Sequence, residues 1–186
     1  CMTIPYDQFR VNGTFNEGND MFKNVATLSL RAFDDKCAVI INKLKISNIS
    51  KSLEDIKTAY EQNNTNTATF NISIKADYYA LKVDECRYTF DLLLAQEQYK
   101  QIEKTVLEAS KIYATSYQGE MTNTTYECFN IPYSTLIKEE LIEEEDITCS
   151  GNIVVRKREK VGYEYEPYLT CKDKNGKMQS NSKENT

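Results

Sequence analysis

The sequence predicts an α+β fold. Residues 1–95 read as an antiparallel, β-rich half with a sandwich-like sheet. Residues 96–171 read as a long amphipathic helix, a small helix and a disulfide-linked β-hairpin, and residues 172–186 as a disordered tail. Three observations carry this. Short apolar/polar alternations recur before residue 95, one regular three-and-four stripe follows them, and two cysteines bracket a strand pair near the C-terminus.

The alternations come in order. Leu28, Leu30 and Ala32 alternate with Thr27, Ser29 and Arg31, and Ile40, Leu44 and Ile46 face away from Lys43 and Lys45, with Asp34-Asp35-Lys36 as the turn between. Phe70, Ile72 and Ile74 share a face in 67–75, as do Tyr79, Leu81 and Val83 in 78–84 and Tyr88, Phe90, Leu92 and Leu94 in 87–95. A weaker strand is expected through Phe9, Val11 and Phe15. One segment breaks this pattern: residues 52–62 place Leu53, Ile56 and Tyr60 at helical spacing behind a Ser52-x-x-Asp55 box and read as a short crossover helix. Over 96–117, Tyr99, Ile102, Val106, Ala109 and Tyr113 form a single stripe, expected to lie on the N-terminal sheet, and Gly119 follows as a stop.

The last third reads as a helix opened by Pro132-Tyr133-Ser134, with Leu136, Ile137 and Leu141 inward. The acids Glu143-Glu144-Glu145-Asp146 around its end read as a solvated face. Strands on either side of Lys160 to Gly162 then run from Cys149 and into Cys171. They are of similar length, so these two cysteines are expected to face each other across the hairpin.

Composition narrows the chemistry. The chain has 186 residues, six cysteines, no histidine and no tryptophan, which removes histidine-based triads and histidine-ligated metals. Only six glycines are present, in neither a GxGxxG nor a GxxxxGK[ST] arrangement, so no nucleotide loop is indicated. A net charge of −5 repels phosphate backbones, and no nucleic-acid partner is expected. No run of apolar residues is long enough to span a bilayer. Neither a cofactor nor a metal is expected, and the chain reads as a non-enzyme.

Cysteine spacing argues for compartment. Cys1, Cys37, Cys86, Cys128, Cys149 and Cys171 contain no CxxC pair, and an even count is compatible with three bridges in fifteen connectivities. Cys37 and Cys86 each follow a predicted turn, so a bridge between them is expected to staple neighbouring hairpins, while Cys128 is left free or paired with Cys1. Asn12, Asn48, Asn63, Asn71 and Asn123 head N-glycosylation sequons, relevant to a eukaryotic secretory source.

The tract from Tyr126 to Cys171, preceded by IEKTVLEASKIYA, resembles the C-terminal part of pilin-like and envelope-anchored surface proteins of low-GC Gram-positive bacteria, over about residues 96–177. Cys128, Leu136-Ile137, Leu141, Cys149-Ser150-Gly151, Val155, Tyr163, Tyr165, Tyr168-Leu169 and Cys171 fit that pattern. Glu139-Glu140 and Asn152 depart from it, and the apolar N-terminal pilin helix is absent. The resemblance implies an extracytoplasmic module, and Cys1 beside it reads either as the lipid-bearing residue of an envelope lipoprotein or as the residue at which the chain happens to be trimmed.

The expectation is therefore a non-catalytic extracytoplasmic or cell-surface protein, an envelope or filament component acting by protein contact or self-assembly. Its contacts would fall on the β-rich half or on the hairpin bearing Arg156, Lys157, Arg158 and Lys160. The alternative is a secreted eukaryotic glycoprotein that binds a ligand or receptor.

Overall fold

The computed structural model describes residues 1–116, 128–143, 147–158, 162–172 and 178–180. The chain divides into two compact units, Cys1–Leu94 and Ala95–Thr186.

The first unit is helical, which corrects the β-rich reading of residues 1–95. Strand β1 (Met2–Thr3) leads to helix α1 (Phe15–Asn42), a one-turn 3-10 helix at Ile46–Asn48, helix α2 (Ile49–Thr67), a second 3-10 turn at Ala68–Phe70, strand β2 (Ser73–Ile74) and helix α3 (Ala76–Ser116). Its one sheet is the antiparallel pair β1–β2, with Met2 opposite Ile74 and Thr3 opposite Ser73.

The physical reason lies in the longer period. Gly18, Phe22, Ala26, Phe33, Cys37 and Ile40 are the buried positions of α1, spaced by four, four, seven, four and three, as a helix requires. Leu28, assigned to a strand face by a five-residue alternation, is 66% exposed. Residues 78–95 behave likewise: Tyr79, Val83, Cys86, Phe90 and Leu93 pack inward at intervals of four, three, four and three. The predicted helix at 52–62 lies inside α2, with Ile56 buried and Leu53 and Tyr60 packed beside it.

Local chemistry fixes the start of α1. The Thr14 hydroxyl accepts from the Glu17 backbone N–H, and the Glu17 carboxylate sits in the first turn, where the helix field favours it. Gly18 is obligatory here, because a Cβ at that position would lie 2.1 Å from the carbonyl oxygen of Phe9. The unit's core gathers Phe33, Cys37 and Ile40 of α1, Leu44 just past its end, Ile56 of α2, Ile74 of β2 and Cys86 of α3. A smaller cluster of Phe22, Ala26 and Ile72 forms beside it.

The second unit holds the C-terminal part of α3, strand β3 (Cys128–Pro132), helix α4 (Tyr133–Lys138) and strands β4 (Thr148–Arg158), β5 (Gly162–Lys172) and β6 (Met178–Ser180). The strands form one antiparallel sheet in chain order. Val106, Ala109, Ile131, Leu136, Ile153, Val155 and Leu169 are its core, and Tyr99, Ile102 and Tyr113 pack against them. The stripe read over 96–117 is thus buried on this C-terminal sheet and not on an N-terminal one. Of the tail expected from residue 172, Lys172 closes β5 and Met178–Ser180 pair with it, while 173–177 and 181–186 lie outside the described residues.

Candidate interaction surface

Within the first unit, α3 buries one side and leaves an apolar strip on another. Leu81, Tyr88 and Leu92 are 62%, 73% and 57% exposed. At about 100° per residue these positions fall within roughly 40° of arc, so they form one stripe. Asp77, Asp84 and Asp91 recur at seven-residue intervals along one edge of it, all exposed. Arg87 reaches Asp84 at 3.9 Å; Asp77 and Asp91 have no cation within ion-pair distance among the described residues. An apolar stripe with an acidic edge results.

Polar contacts behind the stripe lock α3 against α1. The Tyr78 hydroxyl donates to Asp34 Oδ1 at 2.7 Å, and Lys82 Nζ stands 3.4 Å from the same oxygen and 3.2 Å from Glu85 Oε2. Burial, then the hydrogen bond and charge of Asp34, raise the Tyr78 pKa above the ordinary phenol value. Burial pulls Lys82 down, but its hydrogen bond to Glu85 and the nearby carboxylates outweigh that and leave it raised, hence protonated. Aromatic packing adds to the hold: Phe33 meets Tyr60 and Tyr78 with centroids 6.4 Å away in each case, and Tyr60 stacks on Tyr79 at 4.6 Å.

The cysteines separate into three environments. Cys149 and Cys171 stand opposite each other on β4 and β5, are bridged, and have a Cα–Cα distance of 4.1 Å. Cys37 and Cys86, expected to form a staple between turns, are free thiols buried in one core, because both positions are mid-helix. Burial raises the Cys37 pKa to about 11 and also raises that of Cys86, so both are neutral and poor nucleophiles near neutrality. Cys1 and Cys128 are free and exposed.

The structure gives several sequon asparagines local jobs. Asn48 accepts from the Lys45 N–H at 2.7 Å and donates to the Lys43 carbonyl at 3.2 Å, closing the turn between α1 and α2. Asn63, inside α2, donates to the Ser29 carbonyl at 2.8 Å and accepts from the Ser29 hydroxyl. Asn71 takes the left-handed conformation after the second 3-10 turn, and Asn12, also at positive φ, donates to Glu17 at 2.8 Å. Asn123 lies outside the described residues.

Two of the four basic residues of the hairpin have described side chains. Arg156 Nη2 is tied at 3.3 Å to Glu166 Oε2 on the neighbouring strand, while Lys157 is exposed opposite Tyr163. Arg158 ends β4, its side chain outside the description, and Lys160 lies outside the described residues. The α3 stripe was missed altogether. The period-two reading puts Leu81, Tyr88 and Leu92 on strand faces, and only the seven-residue recurrence of Asp77, Asp84 and Asp91 carries a helical signal for the stripe.

Among the described residues no helix is long and apolar enough to cross a membrane. No curated protein and no solved structure matches the chain. A family model does, the SNIPE associated domain, over residues 2–97. The match falls on the helical N-terminal part and no pilin family matches, which overturns the pilin-like resemblance drawn from the C-terminal tract. The features behind that resemblance have a local cause. Cys149 and Cys171 are a cross-strand pair, and Gly151, at φ +131°, lies where a Cβ would stand 2.0 Å from the Tyr168 carbonyl oxygen. With more than half of its 186 residues matched, the chain belongs to the SNIPE associated domain family.

Proposed function

We propose that this chain acts by contact and not by catalysis, and that the α3 face of its first unit receives an amphipathic helix with an apolar stripe and basic flanks. The observation that carries this reading is the exposure of Leu81, Tyr88 and Leu92 along one line beside Asp77, Asp84 and Asp91. Aligned, exposed large apolar side chains with a polar edge are typical of protein-docking sites, and helix-in-groove recognition reads such stripes at this spacing. The contacts of Tyr78 and Lys82 to Asp34 support it, because they hold the face in place before a partner arrives. An extracytoplasmic location belongs to the same proposal. Its support is the Cys149–Cys171 bridge, a bond that persists where thiols are not kept reduced.

The test uses a fluorescent designed helical peptide with leucines on one face and lysines on its flanks, titrated into the full chain. Saturable binding is expected, falling at least tenfold in a Leu81→Ser/Tyr88→Ser/Leu92→Ser variant of unchanged helicity. An Asp77→Asn/Asp84→Asn/Asp91→Asn variant should flatten the salt dependence, since exposed charges act through a screened field. Equal binding of a peptide with glutamates in place of the lysines would reject the proposed partner.

A further inference from the structure

A second feature of the first unit lies apart from the α3 stripe. A groove of about 460 Å³ runs between α1 and α2. Lys36 and Lys43 of the α1 side and Lys51 of α2 line it, over a wall that includes Val39, Ile40 and Ala59. Lys51 stands 4.0 Å from Asp55, the carboxylate that lines the same groove. Lys36 and Lys43 have no carboxylate within ion-pair distance among the described residues. Asn48, by binding both Lys43 and Lys45 backbones, sets the turn that carries the end of α1 into the start of α2.

One polar group inside the groove is unused. Ser52 is 4% exposed and lines the groove, yet its hydroxyl has no hydrogen-bond partner among the described residues. No wholly enclosed side-chain polar atom in the described residues lacks a partner, so this hydroxyl opens onto the groove and not into the core. A serine inside a helix commonly donates to the carbonyl four residues back. Ser52 does not, and is free to donate to or accept from a bound group.

We infer that this groove binds a phosphomonoester with an apolar body. Three ammonium groups supply charge for a dianion, each a compact point charge with several donors. Ser52 supplies one directed hydrogen bond, and Val39, Ile40 and Ala59 cover the apolar part. The volume lies within the range of small-molecule sites. Asp55 limits the charge the groove can hold, since it competes for Lys51. A soluble phosphate ester and the headgroup of a monophosphate lipid share this chemistry.

Calorimetric titration of the full chain distinguishes them, with inorganic phosphate, phenyl phosphate and phosphatidylcholine vesicles with and without phosphatidic acid as probes. Phenyl phosphate is expected to bind saturably and at least fivefold tighter than inorganic phosphate. Lys36→Gln/Lys43→Gln should weaken it at least tenfold and Ser52→Ala at least threefold. Both lysines are exposed, so the double variant decides the matter should the serine variant fold poorly. Binding to phosphatidic acid vesicles without binding to phenyl phosphate upholds the site and assigns it to a lipid headgroup. The reverse pattern upholds it for a soluble ester. No saturable binding of any probe, or binding that the lysine variant leaves unchanged, overturns the inference.

Discussion

At the scale of single residues, the buried thiols give the clearest pH dependence. Cys37 titrates near 9 in an unfolded chain and at about 11 when folded. Its folded pKa is raised, so the unfolded chain loses the proton first. The associated stability is present below about pH 9 and is lost as pH rises toward 11. That loss amounts to about 2 to 3 kcal/mol. Denaturant titrations at pH 8 and pH 10.5 should show a larger drop for the natural chain than for Cys37→Ala; an equal drop would remove the claim. Under native conditions a thiol reagent should label Cys1 and Cys128 and spare Cys37 and Cys86, with mass spectrometry as readout. Gly151 supplies a second case. Its φ of +131° and the Tyr168 carbonyl beneath it mean that Gly151→Ala should cost the second unit about 2 kcal/mol or more, seen as a lower melting temperature.

At the scale of elements, the β4–β5 hairpin is clamped by its outermost cysteines, 22 residues apart in sequence. Replacing both by alanine should cost about 3 kcal/mol, the loop-closure entropy of a ring of that size. This hairpin was legible from the sequence because two local signals agreed there, similar strand lengths and paired end residues. The stripe from Tyr99 to Tyr113 was legible as a helix for the same reason, five positions at one period. Its packing partner was not, since a stripe announces burial without naming the surface that covers it. Residues 26–46 misled because Leu28, Leu30 and Ala32 satisfy a period of two for five residues, while the helical set from Gly18 to Ile40 needs more than twenty residues to show itself. Leu28, exposed on α1, counts against the shorter pattern only once the longer one is seen. The α3 stripe was lost through the same error of period. The lysine groove was out of reach, because it needs α1 and α2 side by side.

At the scale of the whole molecule, every residue of the first unit's two clusters lies between Met2 and Leu93, inside the segment that matches the family model. A fragment of residues 1–97 should therefore fold alone, with helical circular dichroism and a cooperative melt. A fragment lacking cooperative unfolding would show that its core depends on something beyond the family segment. Within that unit the long-range electrostatics are uneven. Lys36, Lys43 and Lys51 collect at the groove, and Asp77, Asp84 and Asp91 at the α3 edge, so raising salt should weaken the phosphate probes and the basic peptide alike.

The placement of the cysteines has one more consequence. The bridge lies in the second unit and both buried thiols lie in the first, so the surroundings' reducing power is a dial connected to one unit alone. Under a strong reductant the sheet from β3 to β6 should soften by the worth of its clamp while the α1–α2–α3 core melts unchanged. Passage between compartments would then tune the stability of one part of this chain and leave the other as it was.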